Sequence, residues 1–254
     1  MNRAIKVLPV LLKEDKEYVC VMRLHGDVDD ASLRKVVNMF KGPIYQRPPL
    51  RSAVKRALRV RRIYDIRILE RDGRNVLLQV WCEAGTYMRK LCHDIGEILG
   101  VGAHMQELRR IRSGSLDEDH YLATLHDVVD AFFFWKEHKL EEPLRQSFIP
   151  VEYTIQHIPK VVIRDSAVDA ICHGAPLTVP GILQVENGIK VRDTVAIMTL
   201  KGELVALGEA VMRSEQMLTA KKGIAVKTKA VIMEPGTYPS MWKKKKKSGA
   251  GAGI

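Results

Sequence analysis

The chain of 254 residues contains only four cysteines, Cys20, Cys82, Cys92 and Cys172. Their spacing fits neither a disulfide framework nor a metal knuckle, so buried reduced thiols are expected. The eight histidines are scattered and form no ligand pattern with cysteines or carboxylates, so no metal site is expected. No apolar run approaches the roughly 18 residues that span a bilayer, and no membrane partner is expected. The opening MNRAIKVLPVLL is apolar and lightly basic, but it runs straight into KEDKE without a small-residue cleavage site. It therefore does not read as a signal peptide. Internal repeats are also lacking.

Positive charge, by contrast, is plentiful. Lys and Arg total 41 against 30 for Asp and Glu, a net of +11. Five of the positives are Lys243 to Lys247, in a tail ending SGAGAGI that cannot pack a core; without them the body is still +6. The run RPPLRSAVKRALRVRR, residues 47–62, holds seven basic residues and no acidic one. A one-sign cluster repels itself unless a polyanion neutralises it, so RNA or DNA is favoured over a merely solvated face.

The local patterns describe two textures. KEYVCVMRLHGDV (16–28) has strand composition. DDASLRKVVNMFKG (29–42) reads as a helix capped by Asp29 or Asp30, with Leu33, Val36, Val37 and Phe40 on one face and Gly42 as its stop. GPIYQRPPL cannot be helical, because its prolines fix φ and remove donors. Residues 61–85 read as a hairpin around Asp72-Gly73. GTYMRKLCHDIGEILG (85–100) reads as a helix with Tyr87, Leu91, Ile95 and Ile98 on one stripe. VGAHMQELRRIRSG is extended, and TLHDVVDAFFFWKEHK (124–139) is a second amphipathic helix capped by Thr124. Beyond about residue 158 come short β-rich runs punctuated by glycines, the texture of a small β-barrel. The expected division is 1–158, 159–236, and a basic low-complexity tail at 237–254.

Four stretches, in order, carry a resemblance: QRPPLRSAVKR (46–56), AGTYMRKLCHDIG (84–96), GVGAHMQELRR (100–110) and IRDSAVDAICHGAPLTVPG (163–181). Together they resemble the dyskerin-type RNA-guided pseudouridine synthases of archaea and eukaryotes, over roughly residues 10 to 242. The resemblance implies an α+β fold, a mixed, largely antiparallel sheet with helices, incomplete at its amino terminus, followed by a PUA barrel that binds guide RNA. It implies isomerisation of uridine to pseudouridine without metal or organic cofactor. It implies partners too: a box H/ACA guide RNA, ribosomal RNA and sometimes tRNA as substrate, and small accessory proteins. The location implied is the cytoplasm of an archaeon or the nucleolus of a eukaryote.

Such chemistry needs an everted base, a ring to hold it and an ionised aspartate as nucleophile. By the resemblance Tyr64 in RRIYDI is the ring, ahead of Tyr45 and Tyr87. Arg89 in Gly-Thr-Tyr-Met-Arg is the arginine that keeps the aspartate charged and oriented. Arg47, Arg51, Lys55, Arg56, Arg59, Arg109 and Arg110 are expected at backbone phosphates. In the barrel, His173, Gly174, Ala175, Pro180 and Gly181 match a turn-rich surface where backbone approaches nucleotides, with turn formation as the equal alternative.

The nucleophile itself is the difficulty. RIRSGSLDEDH (110–120) contains a look-alike, Asp117, but no proline follows it, and it falls after the GAHMQELRR segment. Asp65 and Asp94 are no better placed. The family's catalytic loop is expected a few dozen residues before KEYVCVMRLHGDV, and only fifteen precede Lys16. The alternatives are a truncated chain, one half of a split synthase whose aspartate comes from a separate chain, and a noncatalytic scaffold that holds guide RNA.

Overall fold

The computed structural model describes residues 3–48 and 56–241. By its contacts it separates into two compact units. One is Pro9–Ile149; in the other, the segment up to Leu8 groups with the chain from Pro150 onward. The contact units part at Pro150, and the residues up to Leu8 group with the second of them. The reason is local: Arg3 Nη1 donates to Met233 O at 3.0 Å, Lys6 Nζ donates to Val231 O at 2.9 Å, and Val7 is buried.

The first unit opens with a helical turn α1 (Leu8–Leu11) and strand β1 (Lys16–Leu24). Then follow α2 (Asp30–Met39), β2 (Gly42–Gln46), β3 (Arg59–Asp72), β4 (Asn75–Cys82) and α3 (Met88–Ile98). It continues with β5 (Ala103–Ser113), β6 (Leu116–Asp117), α4 (Glu118–Tyr121), α5 (Leu125–His138) and α6 (Glu142–Gln146). The six strands form one antiparallel sheet in the order β2-β3-β4-β1-β5-β6.

The caps settle the helix starts. Asp29, not Asp30, caps α2, accepting from Ser32 N at 2.8 Å. The helix stops at Met39, and Gly42 (φ +115°) opens β2 instead of ending the helix. The hairpin turns on Gly73 and Arg74, between the paired Asp72 and Asn75. In α3 the buried stripe is Met88, Leu91, Cys92 and Ile95; Ile98 is exposed and does not belong to it.

The α2 and α3 stripes pack on one face of the sheet against Cys20, Met22, Leu24, Ile63, Leu78 and Val80. All four cysteines are buried and free, and three of them, Cys20, Cys82 and Cys92, lie in this core, with the Cys82 thiol pushed up to about 11 by burial. Helix α5 has the expected Thr124 cap, with Asp127 bonding back to the cap. It is not the amphipathic helix its pattern suggests, because Ala131 is its only buried residue among those described. Phe132 to Trp135 are consecutive, and residues 100° apart cannot share one buried face.

The second unit runs β7 (Lys160–Ile163), α7 (Asp165–Cys172), β8 (Leu177–Thr178), β9 (Ile182–Val185), β10 (Thr194–Met198), β11 (Leu204–Ala210), α8 (Ser214–Thr219) and β12 (Ile224–Val231). Its six strands lie in the order β8-β12-β11-β10-β7-β9. Among these strands only the β10–β7 pair is parallel, and the core is built of Val, Ile and Ala from the strands, in part at consecutive positions, together with Val168, Ile171 and Cys172 of α7. The tail expected from residue 237 is still structured at Tyr238, which is buried and donates to Glu203 at 2.5 Å. The Lys243–Lys247 run lies outside the described residues.

Candidate active face at the start of helix α3

The amino-terminal turn of α3 is built by residues from three strands. Gln46, 2% exposed at the end of β2, brackets the backbone of Tyr87: its amide nitrogen donates to Tyr87 O at 3.2 Å and its oxygen accepts from Tyr87 N at 2.9 Å. Thr86 Oγ1 donates to Glu83 O at 2.6 Å. Gly85 holds φ +80°, and the Arg61 guanidinium lies where a side chain would begin, with Nε 3.3 Å from an ideal Cβ. Two residues past this fixed turn stands Arg89, exposed and without an ion-pair partner among the described residues. Because burial of Gln46 leaves no water to replace it, Gln46→Ala is expected to cost about 1–3 kcal/mol. Denaturant unfolding checks this.

Strand alternation decides what shares a face with that turn. Lys16, Tyr18, Cys20 and Met22 of β1 point to the α3 side, and Tyr18 packs on the core there. Tyr18 pairs across to Val80 and Arg110, and the Arg110 guanidinium sits 5.5 Å from the centre of its ring. Lys16 is buried, with Nζ donating to Leu11 O and Glu14 O; burial and then Arg110 lower its pKa. The α3 side thus presents a tyrosine under a cation, beside further fixed positive charge.

Tyr64 does not belong to this group. β3 has an irregularity between Ile63 and Asp65, and Tyr64 there turns its ring to Trp81, centroids 4.9 Å apart. Trp81 alternates with Cys82, which is buried on the α3 side, so Trp81 and Tyr64 lie on the opposite face. The structure does not bring Tyr64 and Arg89 together. Tyr18 was hidden in the sequence because it reads as one more aromatic in a strand. The signal that could have found it is its place in the same alternation as Cys20 and Met22. Tyr45 is largely exposed on β2, and Tyr87 serves as the α3 cap position.

The two adjacent arginines also divide. Arg110 faces Tyr18, whereas Arg109 pairs with Glu118 at 2.8 Å. Arg47 and Arg56 are exposed at the β2 and β3 ends, Arg56 donating to Pro48 O at 3.3 Å, and Arg59 opens β3 opposite Gln46. Arg51 and Lys55 lie outside the described residues. In the second unit, His173, Gly174 and Ala175 form the turn after α7, with Gly174 at φ +85°. Pro180 and Gly181 follow β8, and Gly181 O accepts from Arg164 N at 2.9 Å. Both segments therefore serve turns and flank the same short strand.

The carboxylates are engaged elsewhere. Asp117 caps α4 by accepting from His120 N at 2.9 Å, and His120 holds its carboxyl below the usual range. Asp65 is bound by Lys41 and Arg67, both at 2.6 Å, and Asp94 is bound by Lys90.

Comparison with known proteins covers the whole arrangement. Residues 1–88 match the amino-terminal domain of the TruB family pseudouridylate synthases, 89–156 the carboxy-terminal domain of tRNA pseudouridylate synthase B, and 159–232 the PUA domain. A probable tRNA pseudouridine synthase B of Methanopyrus kandleri is 60% identical over 242 residues, which are 95% of this chain and 71% of that protein. Its counterpart in Pyrococcus abyssi is 56% identical, over 95% of this chain and 72% of its own length. Among solved structures, a chain of an H/ACA RNP bound to a substrate RNA containing 2′-deoxyuridine superimposes with a TM-score of 0.88 at 52% identity, covering 94% of this chain and 73% of that one. A chain of a Cbf5-Nop10-Gar1 complex gives 0.88 at 55%, covering 94% and 72%. A synthase sheet with an arginine raised on the α3 turn, followed by a PUA domain, thus places the chain in the TruB family of pseudouridine synthases, and it is an RNA pseudouridine synthase.

Proposed function

We propose that the chain is the synthase subunit of a guide-directed box H/ACA particle, isomerising uridine in ribosomal RNA and also in tRNA. The observation that carries this reading is the superposition, at TM-score 0.88, on a chain taken from an H/ACA particle with its substrate RNA. The name tRNA pseudouridine synthase B on the relatives keeps tRNA among the substrates. Small accessory proteins are partners of the same kind as those named with the Cbf5 chain. A cytoplasmic location fits the archaeal sources of these relatives.

In this reading Arg89 keeps the nucleophilic aspartate ionised, and Tyr18, not Tyr64, is the ring that receives the everted base. Arg47, Arg56, Arg59 and Arg110 hold phosphates around the α3 face, Arg109 does so from the other face, and Arg51 and Lys55 contribute phosphate contacts from the same basic run. His173, Gly174, Ala175, Pro180 and Gly181 meet the guide RNA. The nucleophile in this reading is an aspartate other than Asp65, Asp94 and Asp117, each of which is already engaged by a cation or at a helix start.

The test is reconstitution. Residues 1–254 bind guide RNA, and joined to the part of a curated relative that they do not cover they convert a guided uridine. Asp117→Asn leaves that conversion within about twofold, since asparagine caps a helix about as well as aspartate. Turnover by residues 1–254 alone that Asp117→Asn abolishes, or turnover by the joined protein without a guide, overturns the reading.

A further inference from the structure

The sequence singled out Tyr64, and the α3 face does not use it. Its actual surroundings are a second concave surface. Among the described residues β2 pairs with β3 only as far as Ile63 and no other strand covers residues 64–72 of β3, which form an open sheet edge there. A groove of about 710 Å³ runs along that edge. α2 supplies one wall through Arg34 and Asn38, with Lys41 just beyond its end; Tyr64, Arg67 and Trp81 supply the other. Tyr64 and Trp81 are each 38% exposed and form a tilted aromatic step.

The charge in the groove is positive. Asp65 is its single acidic lining residue and is already bound by both Lys41 and Arg67, while Arg34 remains in excess. Asp15 and Glu17, beside Trp81 outside the groove, are both held by Arg112, which also lies 5.3 Å from the centre of the indole, and Asp15 also accepts from the Trp81 indole N–H. An anion with a flat apolar face fits this surface: aromatic side chains take a base by stacking whatever its identity, and unneutralised cations take the backbone phosphates. A polypeptide strand added to the open edge fits less well. Of the nine residues from Tyr64 to Asp72, five are charged, and charged edge residues oppose strand addition.

We infer that the groove between α2 and the β3 edge binds single-stranded RNA at a site separate from the α3 face, with a base stacked on the Tyr64–Trp81 step and phosphates at Arg34, Lys41 and Arg67. The site acts as an anchor for unpaired nucleotides flanking the reacting uridine. It rests on the family's RNA chemistry and holds whether or not a guide RNA selects the target.

Intrinsic tryptophan fluorescence of the full chain tests this, with an octauridylate as probe and inorganic polyphosphate as a base-free polyanion. The oligonucleotide is expected to quench saturably, and Trp81→Phe to remove the quench with secondary structure unchanged. Tyr64→Ala weakens the affinity about five- to thirtyfold, as expected for loss of one stacked base, and Tyr64→Phe restores it. Arg34→Ala lowers the slope of log K against log salt by about 0.7, one single-strand phosphate contact. A quench that survives in Trp81→Phe, equal affinities in Tyr64→Ala and the parent, or polyphosphate quenching as well as octauridylate each overturns the site. Hydrogen-exchange protection of residues 64–72 by a protein partner, with no response of Trp81 to octauridylate, would make the groove a strand-docking surface and reject the nucleotide assignment.

Discussion

Arg89→Ala is expected to lower pseudouridine formation by the joined, active protein on the order of 10²–10³-fold, the usual effect of deleting a preorganised charged donor at a reacting group. Guide-RNA affinity should stay within about twofold, because a single exposed side chain is then all that is lost. Arg89 makes no ion pair among the described residues and lies off the buried stripe of α3, so packing gives it no task. Its backbone is nevertheless fixed two residues earlier by the paired Gln46–Tyr87 hydrogen bonds. A guanidinium held this way lowers the pKa of a neighbouring aspartate and orients it through paired donors. Arg89→Lys should fall between, since an ammonium keeps the charge but not the fork. Single-turnover rates with guide and substrate RNA, alongside thermal unfolding of each variant, make the measurement. Unaltered turnover in Arg89→Ala would remove Arg89 from the site.

Gly96→Ala is the substitution expected to damage the fold most. A Cβ there would lie 2.1 Å from Ala103 N, 2.5 Å from Gly102 C and 2.6 Å from the Ala103 Cβ. Two of these three are backbone atoms, so no rotamer change relieves the clash. α3 would have to move away from β5, breaking the hydrogen bond from Gly102 N to Gly96 O, now 3.0 Å. Overpacking of this kind costs about 3 kcal/mol, at the upper end of what core insertions show. For a unit of this size that is roughly a 10 °C loss in Tm. Activity should fall at temperatures where the variant is still folded, because α3 carries Arg89. His93→Ala, at an exposed position of the same helix, is the control and should change Tm little. A Tm for Gly96→Ala within about 2 °C of the parent would show that α3 and β5 approach less closely than described.

Much of this molecule is written in local patterns. Strand β1, the hairpin of β3 and β4, the capped starts of α2 and α5, and the position of α3 follow from alternation, turn residues and side-chain oxygens that bond to the next backbone amides. These interactions reach only a few residues, so sequence order suffices to specify them. The buried cysteines and the change of texture toward the PUA domain are legible for the same reason. The motif containing Arg89 is contiguous, and its turn is found where the motif lies.

Other features needed the assembled sheet. Tyr64 and Tyr18 look alike in the sequence, but Tyr64 follows Ile63, which points into the core under α3, so alternation sends Tyr64 to the face away from α3. Arg109 and Arg110 are neighbours in the chain and part company for the same reason. The task of Gln46 cannot be read from the motif it opens, because its partner is a backbone segment 41 residues away. The sequence by itself determined the family, the order of elements and the cationic, RNA-seeking character of the chain. Only the tertiary structure decided which side chains share a face, because strand pairing and register between distant segments fix that, and a shift of one residue reverses it.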